Sequence, residues 1–131
     1  MCMFGIDGTV EHLEKPITAW RVVMKTGLPG IFAPVHRTYC AYTLGKKIEA
    51  SNPYARPHKL VKDYEDEVFK DGEFGFYALK TRKQAREYRA EHFCKLDYTL
   101  CRVVKVLLHD RVVKYEEGYR AQAMTIVSLS K

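Results

Sequence analysis

The chain has 131 residues, of which 47% are hydrophobic and 29% are charged. This length corresponds to a single domain over 1–131, and the composition excludes an intrinsically disordered chain. Lys and Arg total 22 against 16 Asp and Glu, and the resulting net charge of +6 favours anionic partners. The sequence contains neither the roughly 20 apolar residues of a membrane span nor an export signal. We therefore expect a cytoplasmic protein that does not associate with membranes.

The first half of the chain alternates short strand patterns with turns. Residues 1–16 are predicted to be an irregular lead, whereas 17–25 is rich in β-branched residues and favours a strand. On that strand, Trp20 and its alternate neighbours share a face that we assign to the core, so Arg21 should point to the opposite face, solvated or lining a cleft. Further short strands are predicted over 31–35 and, paired as a hairpin around Gly45, over 39–44 and 46–50.

The second half contains a helix signal and long strand patterns. Residues 60–70 have a weak helical stripe and predict a short helix or an ordered loop. A strand over 75–79 leads into a capping box from Thr81 to Gln84, in which side chains satisfy free backbone N–H groups. The helix that starts there should continue to about residue 92. The remaining strands are predicted over 100–109, 111–115 and 119–129, joined by a tight hairpin at His109-Asp110 and a turn at 116–118.

The expected fold is therefore α+β, with a mostly antiparallel sheet of roughly six to eight strands and one helix over about 81–92. The histidines form no HxxxH pair, and the 4 cysteines form no CxxC pair. We predict no metal site and reduced, partly buried thiols at all four cysteines, which are Cys2, Cys40, Cys94 and Cys101.

The strand–turn–helix unit is the first candidate for ligand binding. A helix N-terminus attracts anions through its free N–H groups and its dipole. Lys80, Arg82 and Lys83 add positive charge at that position. The alternative interpretation is an ordinary capped helix with a solvated basic face, and no glycine-rich phosphate loop accompanies the unit.

The C-terminal segment over 110–122 is the second candidate. The segment places both signs of charge and two phenols in one predicted hairpin, through Arg111, Lys114, Tyr115, Glu116, Tyr119 and Arg120. An Arg beside a carboxylate and a Tyr can frame a polar pocket, and Arg suits planar or phosphate ligands. Cross-strand ion pairs on a solvated sheet face are the alternative. The complete set of predicted ligand-binding residues is Arg21, Tyr77, Lys80, Arg82, Arg111, Tyr119 and Arg120.

Three blocks of the sequence resemble a family of small uncharacterised proteins of bacteria and their phages. The blocks are AWRVV at 19–23, GFYALK at 75–80 and RVVKYEEGYRAQ at 111–122. The last block is the distinctive one, and the family pattern there is GRVVEHExGYRAE, where x is any residue. The resemblance implies a compact domain from a phage or mobile element and no established activity. This chain departs from the family pattern with Asp110 for Gly, Lys114 for Glu, Tyr115 for His and Gln122 for Glu.

A second resemblance is to ADP-ribosyltransferase-like folds. It depends on the order of an Arg on an early strand, a strand that enters a helix through Thr81, and a later Glu. The resemblance implies NAD as cofactor, with Arg21 holding its phosphates, Tyr77 beside the nicotinamide and Glu116 stabilising an oxocarbenium-like centre. Outside this alternative no cofactor is expected.

We therefore expect a binding protein rather than an enzyme. The favoured function is that of a small phage or mobile-element protein that inhibits or sequesters an anionic component of host defence in the host cytoplasm. That component is a nucleotide signal, a nucleic acid bound without sequence specificity, or an acidic protein surface. The alternatives are an NAD-using transferase and a structural or interaction protein without a small-molecule site. Homo-oligomerisation is left open.

Overall fold

A computed structural model describes residues 10–34, 41–50, 69, 75–92 and 100–129. This part of the chain has a strand-dominated α+β fold, in which an antiparallel sheet of eight strands carries one helix on its outside. The strands are β1 (Val10–His12), β2 (Ile17–Lys25), β3 (Ile31–Ala33), β4 (Tyr42–Thr43), β5 (Lys47–Glu49), β6 (Phe76–Leu79), β7 (Cys101–Lys114) and β8 (Gly118–Leu129), and the helix is α1 (Arg82–His92).

Four of the strands close into a small barrel. β7 pairs with β2 along one edge and with β8 along the other. β6 then pairs with β8 and returns to β2 through Trp20 and Leu79. Because the ring is closed, the inward side chains of all four strands share one core.

Both long strands change partners halfway along their length. One edge of β7 pairs with β2 as far as Leu108 and with β1 from Arg111 onward. Likewise, one edge of β8 pairs with β6 as far as Ala121 and with β5 from Ala123 onward. The change of partner in β7 lies opposite the change of partner in β8. The sheet is therefore interrupted beside both strands at the same level.

A β-bulge in β7 marks this level. Between the pairs His109–Ala123 and Val112–Ala121, β7 contains two residues and β8 only one. Asp110, in the bulge, has a φ of 66°, a left-handed conformation that Asp tolerates better than most residues. The hairpin predicted at His109-Asp110 is therefore wrong, and β7 continues through it. The reason is that Asp is favoured both in turns and in left-handed bulges, so its local signal fits either.

The larger hydrophobic core fills the barrel. Its buried side chains come from the four barrel strands and from β3 and β4, which extend the sheet beyond β2. They are Ala19, Val23, Phe32, Tyr42, Phe76, Ala78, Val104, Val106, Leu108, Val112, Ala121, Met124 and Ile126.

A second hydrophobic cluster lies between α1 and the outside of the barrel. Ala85 of α1 is fully buried there against Val22, Leu79, Cys101 and Val103. Half-buried aromatic and apolar side chains surround this cluster. The helix therefore covers part of the outer sheet face, and β2 is packed on both of its faces.

The packing of β2 corrects one prediction about the core. Trp20 and Arg21 do lie on opposite faces, as strand alternation requires. The main core, however, is on the Arg21 face, where Ala19 and Val23 are fully buried. Trp20 is half-buried on the outside, against the cluster beneath α1. Alternation fixes which residues share a face, but only closure of the barrel decides which face is inside.

Two further strand predictions differ from the structure. The lead predicted over 1–16 contains β1, which pairs with β7, and only long-range pairing reveals such a short strand. The hairpin predicted around Gly45 does not form, because β4 pairs with β3 while β5 pairs with β8. The helix or loop predicted over 60–70 lies outside the described residues apart from Phe69.

The helix prediction is confirmed, since α1 covers Arg82–His92. Of the cysteines, Cys101 is a buried free thiol, and Cys2, Cys40 and Cys94 lie outside the described residues. No helix within the described ranges is long and apolar enough to cross a membrane.

Candidate functional site

The junction between β6 and α1 forms as the capping box predicts. The Thr81 backbone N–H donates to Gln84 Oε1 at 3.0 Å, and the Gln84 N–H donates to Thr81 Oγ1 at 3.1 Å. These bonds satisfy part of the hydrogen-bonding need of the first helical turn. An anion at this terminus would therefore add to an existing cap rather than replace one.

Cationic side chains gather on one flank of α1. Arg82, Arg86 and Arg89 follow each other at i, i+4 and i+7, so they lie within about 60° of one another around the helix axis. Arg82 and Arg86 are exposed and Arg89 is half-buried. Glu87 and Glu91 fall on the other side of the helix. The first turn of α1 contains no acidic residue, so the positive end of the helix dipole adds to this charge.

Lys80 connects this flank to the second predicted site. Its Nζ lies 6.0 Å from the centre of the Tyr119 ring, within the range of a cation–π contact. The Lys80 backbone N–H also donates to the carbonyl oxygen of Glu117 at 3.2 Å. Parts of the two predicted sites therefore meet at the end of β6. We call Lys80, Arg82, Arg86 and Arg89 the cationic surface. Lys83, which was also predicted to add charge here, instead faces Glu87, with 4.0 Å between its Nζ and Glu87 Oε1.

Arg111 has different neighbours. It lies on the bulge of β7, where its Nη1 donates to Gln122 Oε1 at 3.1 Å. Across the β1–β7 pair it faces His12. Of the predicted binding residues, Lys80, Arg82 and Tyr119 are thus brought to one region and Arg111 to another.

Arg120 is held inside the protein, only 1% exposed. Its Nη1 donates to the carbonyl oxygen of Phe69 at 2.7 Å, and its Nε donates to Tyr115 Oη at 3.2 Å. The guanidinium also lies 4.6 Å from the centre of the Phe69 ring. These contacts support a structural role for Arg120 rather than the predicted ligand-binding one, because a side chain that is 1% exposed is not accessible to a ligand.

Arg21 extends into the barrel. Its guanidinium carbon lies 5.9 Å from the ring centres of both Tyr42 and Phe76, and its Nη1 donates to the carbonyl oxygen of Tyr77. Its Nε is buried without a hydrogen-bond partner among the described residues. The predicted solvated or cleft-lining position is therefore replaced by a half-buried one against aromatic rings of the main core.

The three residues of the transferase alternative do not share a face. The Tyr77 ring lies outside the barrel, 6.4 Å from the Tyr115 ring, and Arg21 lies inside. Glu116 is exposed in the turn between β7 and β8. The backbone of β6 therefore separates Arg21 from the Tyr77 ring, and the described residues do not assemble an Arg–aromatic–Glu site.

Sequence reasoning missed two members of the cationic surface as binding residues, Arg86 and Arg89. Their signal is present, since projecting the helix at 3.6 residues per turn places both beside Arg82. The partners of Arg111 had no such signal, because a bulge and a long-range strand pair bring them together.

The described part of the chain contains no group of three or more His, Cys, Asp or Glu that could hold a metal ion. Comparison with known proteins adds no assignment, since no family model, no curated protein and no solved structure matches the chain. The class of the protein is therefore defined by its own structure, a strand-dominated α+β barrel with a cationic helix packed on the outside.

Proposed function

We propose that the protein binds an anionic macromolecule through the cationic surface, and that the phosphate backbone of a nucleic acid fits this surface best. The observation that carries the proposal is the separation of charge on α1, with Arg82, Arg86 and Arg89 on one flank and Glu87 and Glu91 on the other. Arginine suits phosphate because its planar guanidinium can donate two parallel hydrogen bonds.

The length of the arginine stripe supports this ligand. From Arg82 to Arg89 the helix rises roughly 10 Å, at about 1.5 Å per residue. Measured along the axis of B-form DNA, one strand carries a phosphate about every 3.4 Å, so about three phosphates fall within that length. The exposed Arg82 and Arg86 can therefore each face a phosphate of one strand, and the half-buried Arg89 adds positive charge beside them.

The absence of an apolar anchor on α1 favours nucleic acid over an acidic protein surface. The exposed large hydrophobic side chains of the described residues are Leu28, Leu44, Leu100 and Val127, and none belongs to α1. Protein interfaces draw much of their affinity from buried aromatic or aliphatic anchors. Binding to a phosphate backbone draws mainly on cationic and other hydrogen-bond-donating groups, needs no apolar anchor and is independent of sequence.

The biological part of the proposal depends on the resemblance to bacterial and phage proteins. In that setting the bound nucleic acid belongs to host defence, and the protein inhibits by sequestering it. The NAD-using alternative receives no support from the geometry, because Arg21 and the Tyr77 ring lie on opposite sides of β6.

The test is fluorescence anisotropy of a labelled duplex oligonucleotide over a range of salt concentrations. In the double variant Arg82→Gln/Arg86→Gln, two phosphate contacts are lost. The slope of log K against log salt should then become shallower by about 1.8, at about 0.9 per contact. The matched control is Lys15→Gln/Lys46→Gln, which removes the same charge from exposed positions outside the cationic surface.

If both double variants lose the same amount of affinity for the oligonucleotide, net charge alone controls binding, and the cationic surface is refuted as the binding site. No binding of single-stranded or duplex oligonucleotides at low salt would contradict the nucleic-acid proposal. Tight, salt-sensitive binding of a poly-glutamate peptide instead would assign the surface to an acidic protein partner.

A further inference from the structure

A cleft opens beside the bulge of β7. It is open to solvent, has a volume of about 380 Å³ and is lined by His12, Leu13, Asp110, Arg111 and Gln122. Small-molecule sites begin at roughly 300 Å³, so the volume suits a small ligand. The lining residues come from the end of β1, from β7 and from β8, which meet where both long strands change partners.

The hydrogen bond between Arg111 and Gln122 sets the chemistry of the cleft. Because Gln122 Oε1 accepts from Arg111 Nη1, the Gln122 amide must direct its Nε2, with two N–H donors, away from Arg111. The Arg111 guanidinium places a permanent positive charge beside this amide. Together with the imidazole of His12 opposite Arg111, these groups make the cleft rich in donors.

Asp110 does not turn the cleft into a cation site. Its Oδ2 forms a salt bridge of 3.1 Å with Nζ of Lys47, which reaches it from β5. Its backbone carbonyl oxygen accepts from the Leu13 N–H at 2.8 Å. The Asp110 carboxylate is thus paired with the Lys47 ammonium. The two positive charges of Lys47 and Arg111 exceed the single negative charge of Asp110, so the net charge around the cleft is positive.

We propose that this cleft binds a small ligand through a carboxylate or phosphate group, held by the Arg111 guanidinium and the Gln122 amide. Charge-assisted hydrogen bonds from Arg to such groups are among the stronger polar contacts in proteins. This site is separate from the cationic surface on α1, and its ligand is a small molecule rather than a polymer.

The test is a titration of ¹⁵N-labelled protein with inorganic phosphate and, separately, with acetate. The NMR signals of the Gln122 side-chain amide and the Arg111 Nε–H should shift to saturation with one of them, which identifies the anion class. Arg111→Gln should weaken that binding roughly tenfold to a hundredfold, as expected for a hydrogen bond to a charged group. The matched control is Arg102→Gln on the same strand, where Arg102 donates to the Cys101 carbonyl oxygen instead.

Gln122→Met provides a second variant if Arg111→Gln fails to fold, and it should also weaken binding. Shifts that do not saturate with either anion, or wild-type affinity in both Arg111→Gln and Gln122→Met, would overturn the proposal. If Arg82→Gln/Arg86→Gln abolishes phosphate binding and Arg111→Gln does not, the anion belongs to the cationic surface. Failure in the cleft leaves oligonucleotide binding by α1 unaffected, so the two proposals fail separately.

Discussion

Gly75 is the position where a single added methyl group should disturb the barrel most. It immediately precedes β6 and has a φ of +134°, which L-residues rarely adopt. A Cβ at this position would lie 2.7 Å from the carbonyl oxygen of Ala121 and 3.1 Å from Cγ of Arg120. The first contact is with backbone, so β6 and β8 would have to move apart.

The expected cost of Gly75→Ala has two parts. An unfavourable backbone conformation costs about 1–3 kcal/mol, and overpacking in a well-packed region costs about 1–3 kcal/mol more. The free energy of unfolding should therefore decrease by about 2–6 kcal/mol, a large share of the roughly 5–15 kcal/mol of a typical domain. The Arg120 side chain, whose Cγ lies 3.1 Å from the added Cβ, would also have to shift, which disturbs its hydrogen bonds to Phe69 and Tyr115.

Denaturant unfolding followed by circular dichroism measures this loss. Gly45→Ala is the control, since Gly45 also has a positive φ, of +80°, but no heavy atom within 4 Å of the added Cβ. It reports backbone strain alone, so Gly75→Ala should exceed it by about 1–3 kcal/mol. If Gly75→Ala and Gly45→Ala lower the free energy of unfolding equally, the close approach of β6 to β8 is refuted.

Three other changes test the structure. Arg21→Ala should lower the free energy of unfolding by about 1–3 kcal/mol in denaturant unfolding, because the bond to Tyr77 and the ring contacts disappear; unchanged stability would place Arg21 in solvent. Thr81→Ala should lower the melting temperature through a loss of about 1 kcal/mol, with Thr81→Ser restoring it, and an unaffected Thr81→Ala would contradict the cap. Burial and then the Lys47 charge hold the pKa of His109 below 6.5, against a smaller opposing effect of Asp110. The unfolded chain then binds more protons, so stability should fall as the pH drops below about 6.5, and this dependence should weaken in His109→Gln, measured by unfolding at several pH values.

The elements with strong local signals were predictable from the sequence. The capping box at Thr81 fixed the start of α1, and the β-branched run fixed β2. β1 and the pairing of β5 with β8 were not predictable, because strands of three residues depend on distant partners. Asp110 shows a third case, in which a residue suited to turns occupies a bulge within one continuous strand.

The residues of the candidate site were likewise predictable only where their position depends on local sequence. Lys80 and Arg82 were predictable because their position depends on one helix and its cap. The burial of Arg120 depends on Phe69, which lies 51 residues away in the chain, and no local pattern reports such a contact. The orientation of Arg21 followed from strand alternation, but its position inside the barrel followed only from the closure of β6 onto β2.

The bulge at Asp110 shows how the fold and the cleft depend on the same residue. An extra residue bends a strand and raises its twist, which allows β7 to leave β2 and join β1. At this level the hydrogen bonding between strands is interrupted beside both β7 and β8, so side chains line a recess instead of packing against a neighbouring strand. A glycine at this position would satisfy the left-handed backbone conformation but would carry no charge. Asp110 adopts that conformation and also ties β5 to β7 through its salt bridge with Lys47, so the charge balance of the cleft depends on its carboxylate.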